Sequence, residues 1–298
     1  GTVGMDLYNS PPLALWGVRA LAERKPDVRK EDTGKFRGIG LSLKLSGGGS
    51  FFDCGDLERG SQGEFEARAE DIAAQGFTID EKRAESLNSG LEIAADLTFM
   101  VMSRVGVSLG VGAGKADVEN LLVFYESPGV LSNLNSQPNL HTLHVRLGIS
   151  YWPLLGRLVS FYVQGGVGLY LADYKLNLTL SMRNEGEGFT QSAKGKGFGV
   201  HGGGVFELAL NPKVSLFVEA QGCYARLNGF EGSEVQELYQ RQELYPGTQG
   251  YKINGALYYF ENEPQPRLAI LEGEQAGARQ AVLDLRNLSI RAGLRFKF

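Results

Sequence analysis

Three imidazoles stand in the 298-residue chain, at His141, His144 and His201. A histidine beside a carboxylate is the minimal equipment for proton transfer in a hydrolysis. If His144 and His201 point the same way, Glu92 and Asp96 are the carboxylates they would meet. No activated nucleophile stands out beside them. Cys54 and Cys223 are the only cysteines, which allows one disulfide and defines no metal framework. A second kind of chemistry involves more residues. Lys44, Arg146, Arg291 and Arg295 can be set against Glu92, Asp96, Glu207 and Glu219 as an ion-pair network. Whether either arrangement exists depends on the elements that carry these residues.

Those elements alternate. VGVSLGVGAG from Val105 places Val105, Val107, Leu109, Val111 and Ala113 on one face, with Gly106, Ser108, Gly110, Gly112 and Gly114 on the other. LEIAADLTFMV from Leu91 and LHVRLGISYW from Leu143 repeat the pattern, with Glu92, Asp96, His144 and Arg146 on the polar side. Successive side chains of a strand point to opposite faces, so this period of two predicts strands. Eight segments show it, at 36–53, 89–102, 104–118, 139–152, 158–182, 196–210, 214–228 and 283–298. Each can supply the ~9–11 residues that a tilted strand needs to cross a bilayer. In the fifth segment the apolar face changes near Asp173, after which Leu176, Leu178 and Leu180 carry it. That predicts either a bulge or a strand continuing beyond the membrane.

The links alternate too. Ser103-Arg104, the PLLGR around Pro153 and Asn211-Pro212-Lys213 are tight, and the remaining connections are long. Short turns at one rim and long loops at the other are the pattern of membrane barrels. An even strand count lets the last strand pair with the first and leaves no open edge. The expected fold is all-β, an eight-stranded antiparallel up-and-down barrel spanning a membrane, occupying 36–298. Glycine occurs 41 times. Gly and Ser crowd the polar face as though interior space were short, where a soluble barrel would show Lys, Glu and Thr to water. No apolar run reaches the length of a membrane helix. The net charge of −4 argues against nucleic acid as a partner.

The chain closes on RAGLRFKF, residues 291–298. With this strand order and loop alternation, it resembles the small eight-stranded outer-membrane barrels of the OmpA transmembrane, OmpX and OmpW type. The resemblance implies a bacterial outer membrane, periplasmic termini and extracellular long loops. It implies that Leu294, Phe296 and Phe298 act as the signal read by the barrel-insertion machinery. Outer-membrane lipid and lipopolysaccharide become the expected surroundings, with no cofactor and no metal. The His-x-Ser pattern of lipid A deacylases is absent, since Thr142-Leu143 follows His141 and glycines follow His201. A non-enzymatic barrel with a plugged lumen and interacting loops is therefore expected, ahead of an OmpW-like conduit for small or hydrophobic solutes. A lipid-modifying enzyme comes last.

Long extracellular loops are expected at 55–88, 119–138, 183–195 and 229–284. The first contains EFEARAEDIAAQG from Glu64, suited to a helix by its Ala and Glu content. The last contains YKINGALYYF and RLAIL, suited to a projecting hairpin. The segments Gly55–Asn88 and Gly229–Asp284 each carry nine acidic and four basic residues, −10 together, which leaves the rest of the chain near +6. Acidic loops would suit divalent cations bridging to lipopolysaccharide phosphates, or a basic partner. Residues 1–35 are expected to be a periplasmic segment that docks on the mouth, plugs it or contacts a partner, or else a disordered leader. Cys54 is expected as a free surface thiol, because an intervening strand separates it from Cys223.

Overall fold

The computed structural model describes residues 40–183, 185–240, 248–262 and 264–298. The segment 1–35 and the first residues of the first expected strand lie outside them. In chain order the elements are β1 (Leu41–Asp53), α1 (Asp56–Ala74), β2 (Thr78–Arg83), β3 (Ser89–Met102), β4 (Val105–Asp117), β5 (Asn120–Ser127) and β6 (Val130–Leu155). They continue with β7 (Val159–Ser181), β8 (Glu185–Ala209), β9 (Val214–Gln240), β10 (Thr248–Phe260), β11 (Arg267–Leu271), β12 (Arg279–Gln280) and β13 (Leu283–Lys297).

Eight of the strands close a ring in the order β1, β3, β4, β6, β7, β8, β9, β13, with every pairing antiparallel. The closing seam runs from Ser42 opposite Lys297 to Asp53 opposite Arg286. Tight links after β3, β6 and β8 gather at one rim. The expected eight-stranded barrel is the observed one.

The polarity of this cylinder is inside out. Leu91, Ile93, Leu109, Val111, Leu143, Val145, Leu147, Ile149, Val167, Phe198, Val200, Leu216, Val218, Leu288 and Ile290 lie exposed on its outer wall, while Lys44, Glu92, Arg146, Glu219 and Arg291 are buried within. A soluble monomer rarely exposes a contiguous apolar patch beyond a few hundred Å². A closed wall of apolar side chains belongs in hydrocarbon, where a ring of strands satisfies every backbone group without an edge. Among the described residues no helix is long and apolar enough to cross a membrane.

The change of pattern at Asp173 is not a bulge. From Asn133 opposite Ser181 to Tyr151 opposite Val163, the β6–β7 register is unbroken, and even-numbered residues of β7 stay inward throughout. Below Asp173 the inward residues include Gln164, Gly166 and Gly168 and the outward ones Val167, Leu169 and Leu171. Above it, Tyr174, Leu176 and Leu178 are buried inside while Lys175 faces out. The strand keeps its faces and the solvents change. In the belt the outside is apolar and the inside polar; above it the cylinder reverts to a water-soluble protein with an apolar core. A bulge does occur between Lys194 and Lys196 of β8, opposite Gly229, whose φ of +62° suits glycine.

The long connections are mostly regular structure. In 119–138, β5 pairs with β6 and β2 pairs with β5. Within 183–195, β8 begins at Glu185 and the β7–β8 hairpin pairs from Ser181 opposite Gly186, so the expected loop is strand from Glu185 on. In 229–284, β9 runs on to meet β10, which pairs with β11 as the expected hairpin and with β12. The expected helix exists and begins eight residues before Glu64.

Candidate functional site

The inward face of the belt collects the charged residues in tiers, and strand register decides which meet. At the short-turn rim, the Arg295 guanidinium lies 5.2 and 5.1 Å from the ring centroids of Trp152 and Tyr162, which pack against each other at 4.6 Å. It donates to Glu207 Oε2 at 3.0 Å and to Ser42 Oγ at 3.0 and 2.9 Å. Lys297 pairs with the other oxygen of Glu207.

One tier up, Lys44 Nζ is 2.8 Å from Glu219 Oε2, 3.2 Å from Asp96 Oδ2 and 3.4 Å from Gln164 Oε1. Arg291 then spans two carboxylates, with Nη1 2.6 Å from Glu92 Oε1 and Nη2 2.7 Å from Glu219 Oε1. Arg146 Nη2 is 3.1 Å from Asp96 Oδ1, and both Arg146 and Arg291 donate to Gln221. Ser50 and Asn287 donate to Glu92 Oε2 at 2.9 and 3.2 Å. A buried charge is tolerated when it is paired and hydrogen-bonded, and three cations here face three carboxylates.

Glycine makes this packing possible. Gly48 lies in register between Glu92 on β3 and Arg291 on β13, so Arg291 reaches over β1 without meeting a side chain. Arg146 is flanked by Gly110 and Gly168. A Cβ on Gly110 would overlap the Asp96 carboxylate, and one on Gly112 the His144 ring.

His144 is buried, with Nε2 3.7 Å from Glu92 Oε1, beyond hydrogen-bond length. His201 sits across β8–β9 from Cys223, and His141 faces outward on β6. A cavity of about 10 Å³, room for a water molecule, adjoins Glu92, His144, Arg146, Tyr170 and Cys223. Among the described residues no His, Cys, Asp and Glu group is arranged to hold a metal. Both cysteines are free. Cys54 is not the expected surface thiol: it is fully buried, its Sγ 3.4 Å from the Leu87 carbonyl. Burial pushes that thiol well above the usual cysteine range.

Above the charges an apolar cluster fills the cylinder. It joins Leu134, Leu140, Tyr174, Leu176, Leu178 and Leu227 of the ring to Leu57, Phe65, Ala69 and Ile72 of α1 and to Leu257, Leu268 and Ile270 of the outer sheet. Gly60 and Gly63 bring α1 against the Leu268 side chain and the Pro266 carbonyl. Asp56, at the start of the helix, accepts two hydrogen bonds from Arg279, one of 2.8 Å, and one of 3.0 Å from Val282 N. Arg68 reaches Glu187 on β8 at 2.9 Å.

Gln164, Gln221, Ser42, Asn287, Trp152 and Tyr162 belong to this interior and were not among the expected site residues. The alternation that put Glu219 and Arg291 inside also marks Gln221 and Asn287, two and four positions away. At the end of the chain, Leu294 and Phe298 are exposed on the outer wall and Phe296 is half-buried.

No family model matches the sequence, and no curated protein matches it. Solved structures do resemble it. A major outer membrane protein of Thermus thermophilus is 14% identical, covers 88% of this chain and 100% of its own, and gives a TM-score of 0.40. Neisserial surface protein A is 11% identical over 88% and 100%, at 0.36. OprG of Pseudomonas aeruginosa is 12% identical over 88% and 97%, at 0.32. The assignment of this chain as a membrane-spanning eight-stranded barrel rests on its own closed ring and apolar wall.

Proposed function

We propose that the protein is a closed, non-catalytic barrel of the bacterial outer membrane that acts through the folded head above its belt. Outer-membrane lipid surrounds the apolar wall, the barrel-insertion machinery delivers the chain, and the short turns face the periplasm. The long connections then stand outside the cell. The observation that carries this reading is the stacking of two unlike fillings in one cylinder. Ion-paired charges occupy the belt, and an apolar cluster sealed by α1 lies directly above them. In this reading the two fillings leave no continuous wet path, and the single-water size of the cavity between them supports it. A head with its own core, joined to the ring by continuous strands, presents a fixed surface, as an interaction role requires.

A conduit for hydrophobic solutes would need a lateral opening with an apolar path behind it. The pairing among the eight ring strands is continuous around the belt, and what lies behind it is charged. Catalysis by His144 and Glu92 would need a route for substrate to a histidine enclosed beneath the apolar cluster. Planar-bilayer recordings of the purified barrel test the reading: no steady conductance step is expected, and stable large openings would overturn it.

A further inference from the structure

We propose that the outer wall of β7, β8 and β9 carries a binding site for the phosphorylated headgroup of a glycolipid. Lys196, Lys175 and Arg226 engage the phosphates, and Phe198 and Leu171 lie against the acyl chains. The site rests on the reading above, because that reading puts this edge of the belt in the outer leaflet.

The argument begins with position. On each ring strand one outward residue follows the last apolar one in the direction of the head. It is Lys115 on β4, His141 on β6, Lys196 on β8, Arg226 on β9 and Arg286 on β13. It is a carboxylate at Asp53 on β1 and Asp173 on β7, and Ser89 on β3. Four of these eight positions are thus Lys or Arg, a basic band where hydrocarbon gives way to headgroups, and of the +6 left after subtracting the two acidic segments, +4 lies in residues 40–54, 89–228 and 285–298.

Within this band one sector is set apart. Lys194 pairs with Asp173 at 3.2 Å, and Arg226 Nε stands 3.8 Å from Asp284. Among the described residues neither Lys175 nor Lys196 has an ion-pair partner. Lys196 is opposite Asn228, so Arg226 is its diagonal neighbour, about 7–8 Å away for such a pair. Arg226 is in turn directly opposite Phe198, which is 80% exposed, and Leu171 is directly opposite Lys196. Glu231, opposite Lys194, lies on the far side of the bulge from Lys196.

A ligand for this sector must be anionic at one end and apolar at the other, which a soluble phosphate or a nucleic acid is not. Direct contact with lysine and arginine also differs from cation-bridged contact with the acidic segments, because it does not need a divalent ion. Each basic residue near a charged membrane surface is worth about 1 kcal/mol.

Native mass spectrometry of the folded, detergent-solubilised barrel in EDTA tests the site. The probes are bisphosphorylated lipid A, its dephosphorylated form and phosphatidylglycerol. The wild type should retain the bisphosphorylated lipid in preference to both others. The double variant K175E/K196E should retain it roughly tenfold less or worse, since two charges are reversed. R226Q should weaken it in the same direction, and K252E, a charge reversal in the head, should not. Folding of each variant is checked by its heat-dependent migration on gels. Equal retention by K175E/K196E, equal retention of the dephosphorylated lipid or of phosphatidylglycerol, or loss of binding in EDTA would each overturn the proposal. A barrel that conducts ions but keeps the lipid would sink the closed-lumen reading and leave the site intact.

Discussion

Arg291 on β13 and Glu219 on β9 stand directly opposite one another in the sheet, and their side chains meet at 2.7 Å with almost no exposure to solvent. The same guanidinium holds Glu92 on the other side, across β1. One side chain therefore ties β13 to β9 and, across β1, to β3 inside the belt. Among the described residues, removing it leaves buried Glu92 with no Lys or Arg partner and buried Glu219 with Lys44 alone. Arg291→Met should lower unfolding free energy by about 3–5 kcal/mol, read from urea titrations of the barrel in lipid vesicles. A loss below about 1 kcal/mol, the level of an exposed pair, would mean that the interior is wet enough to solvate the carboxylates.

The glycines beside the charges make a paired prediction. Gly112→Val pushes a side chain into the His144 ring and should destabilise the barrel by about 1–3 kcal/mol. Gly49→Ala on the outward face of β1, where nothing lies within 4 Å, should leave the urea midpoint unchanged. Equal effects at the two positions would contradict the inward assignment.

Asp56 fastens the start of α1 to β12 and to the chain leading into β13. Asp56→Ala removes the two-bond ion pair to half-exposed Arg279 and a hydrogen bond from a backbone amide, about 1–3 kcal/mol in all. The expected outcome is rapid proteolysis between residues 56 and 87 while the ring keeps its heat-dependent migration. If the variant resists protease like the wild type, the latch is dispensable and the helix is held by its apolar contacts alone.

Cys54 has its thiol enclosed and its ionisation suppressed. A small maleimide should leave it unmodified in the folded protein at neutral pH and label it after denaturation, because the thiolate is the reactive form. Fast labelling of the native barrel would show that the head opens readily.

The eight ring strands were legible in the sequence because alternation survives whichever solvent lies outside. Val105 to Gly114 and Leu143 to Trp152 read the same way in either medium. What alternation does not reveal is which medium each face meets. The shift from Leu171 to Leu176 on β7 therefore admitted a bulge as well as a change of surroundings, and only the unbroken register with β6 separates them. Pairings between distant strands were out of reach for a different reason. Arg291 meets Glu219 because β13 returns past β10, β11 and β12 to lie beside β9. Cys54 is buried because Leu87, more than thirty residues on, folds back over it. In both cases contacts far apart in the chain decide, and local periodicity carries no trace of them.

A ladder of single spin labels along β7 tests the central claim, that one unbroken cylinder passes from hydrocarbon to water without turning its faces. Labels at Val167, Leu169 and Leu171 should collide with dissolved oxygen, those at Lys175 and Thr179 with a water-soluble nickel complex, and those at Gly168 and Leu176 with neither. Oxygen collisions at Leu176, or nickel collisions at Val167, would contradict it.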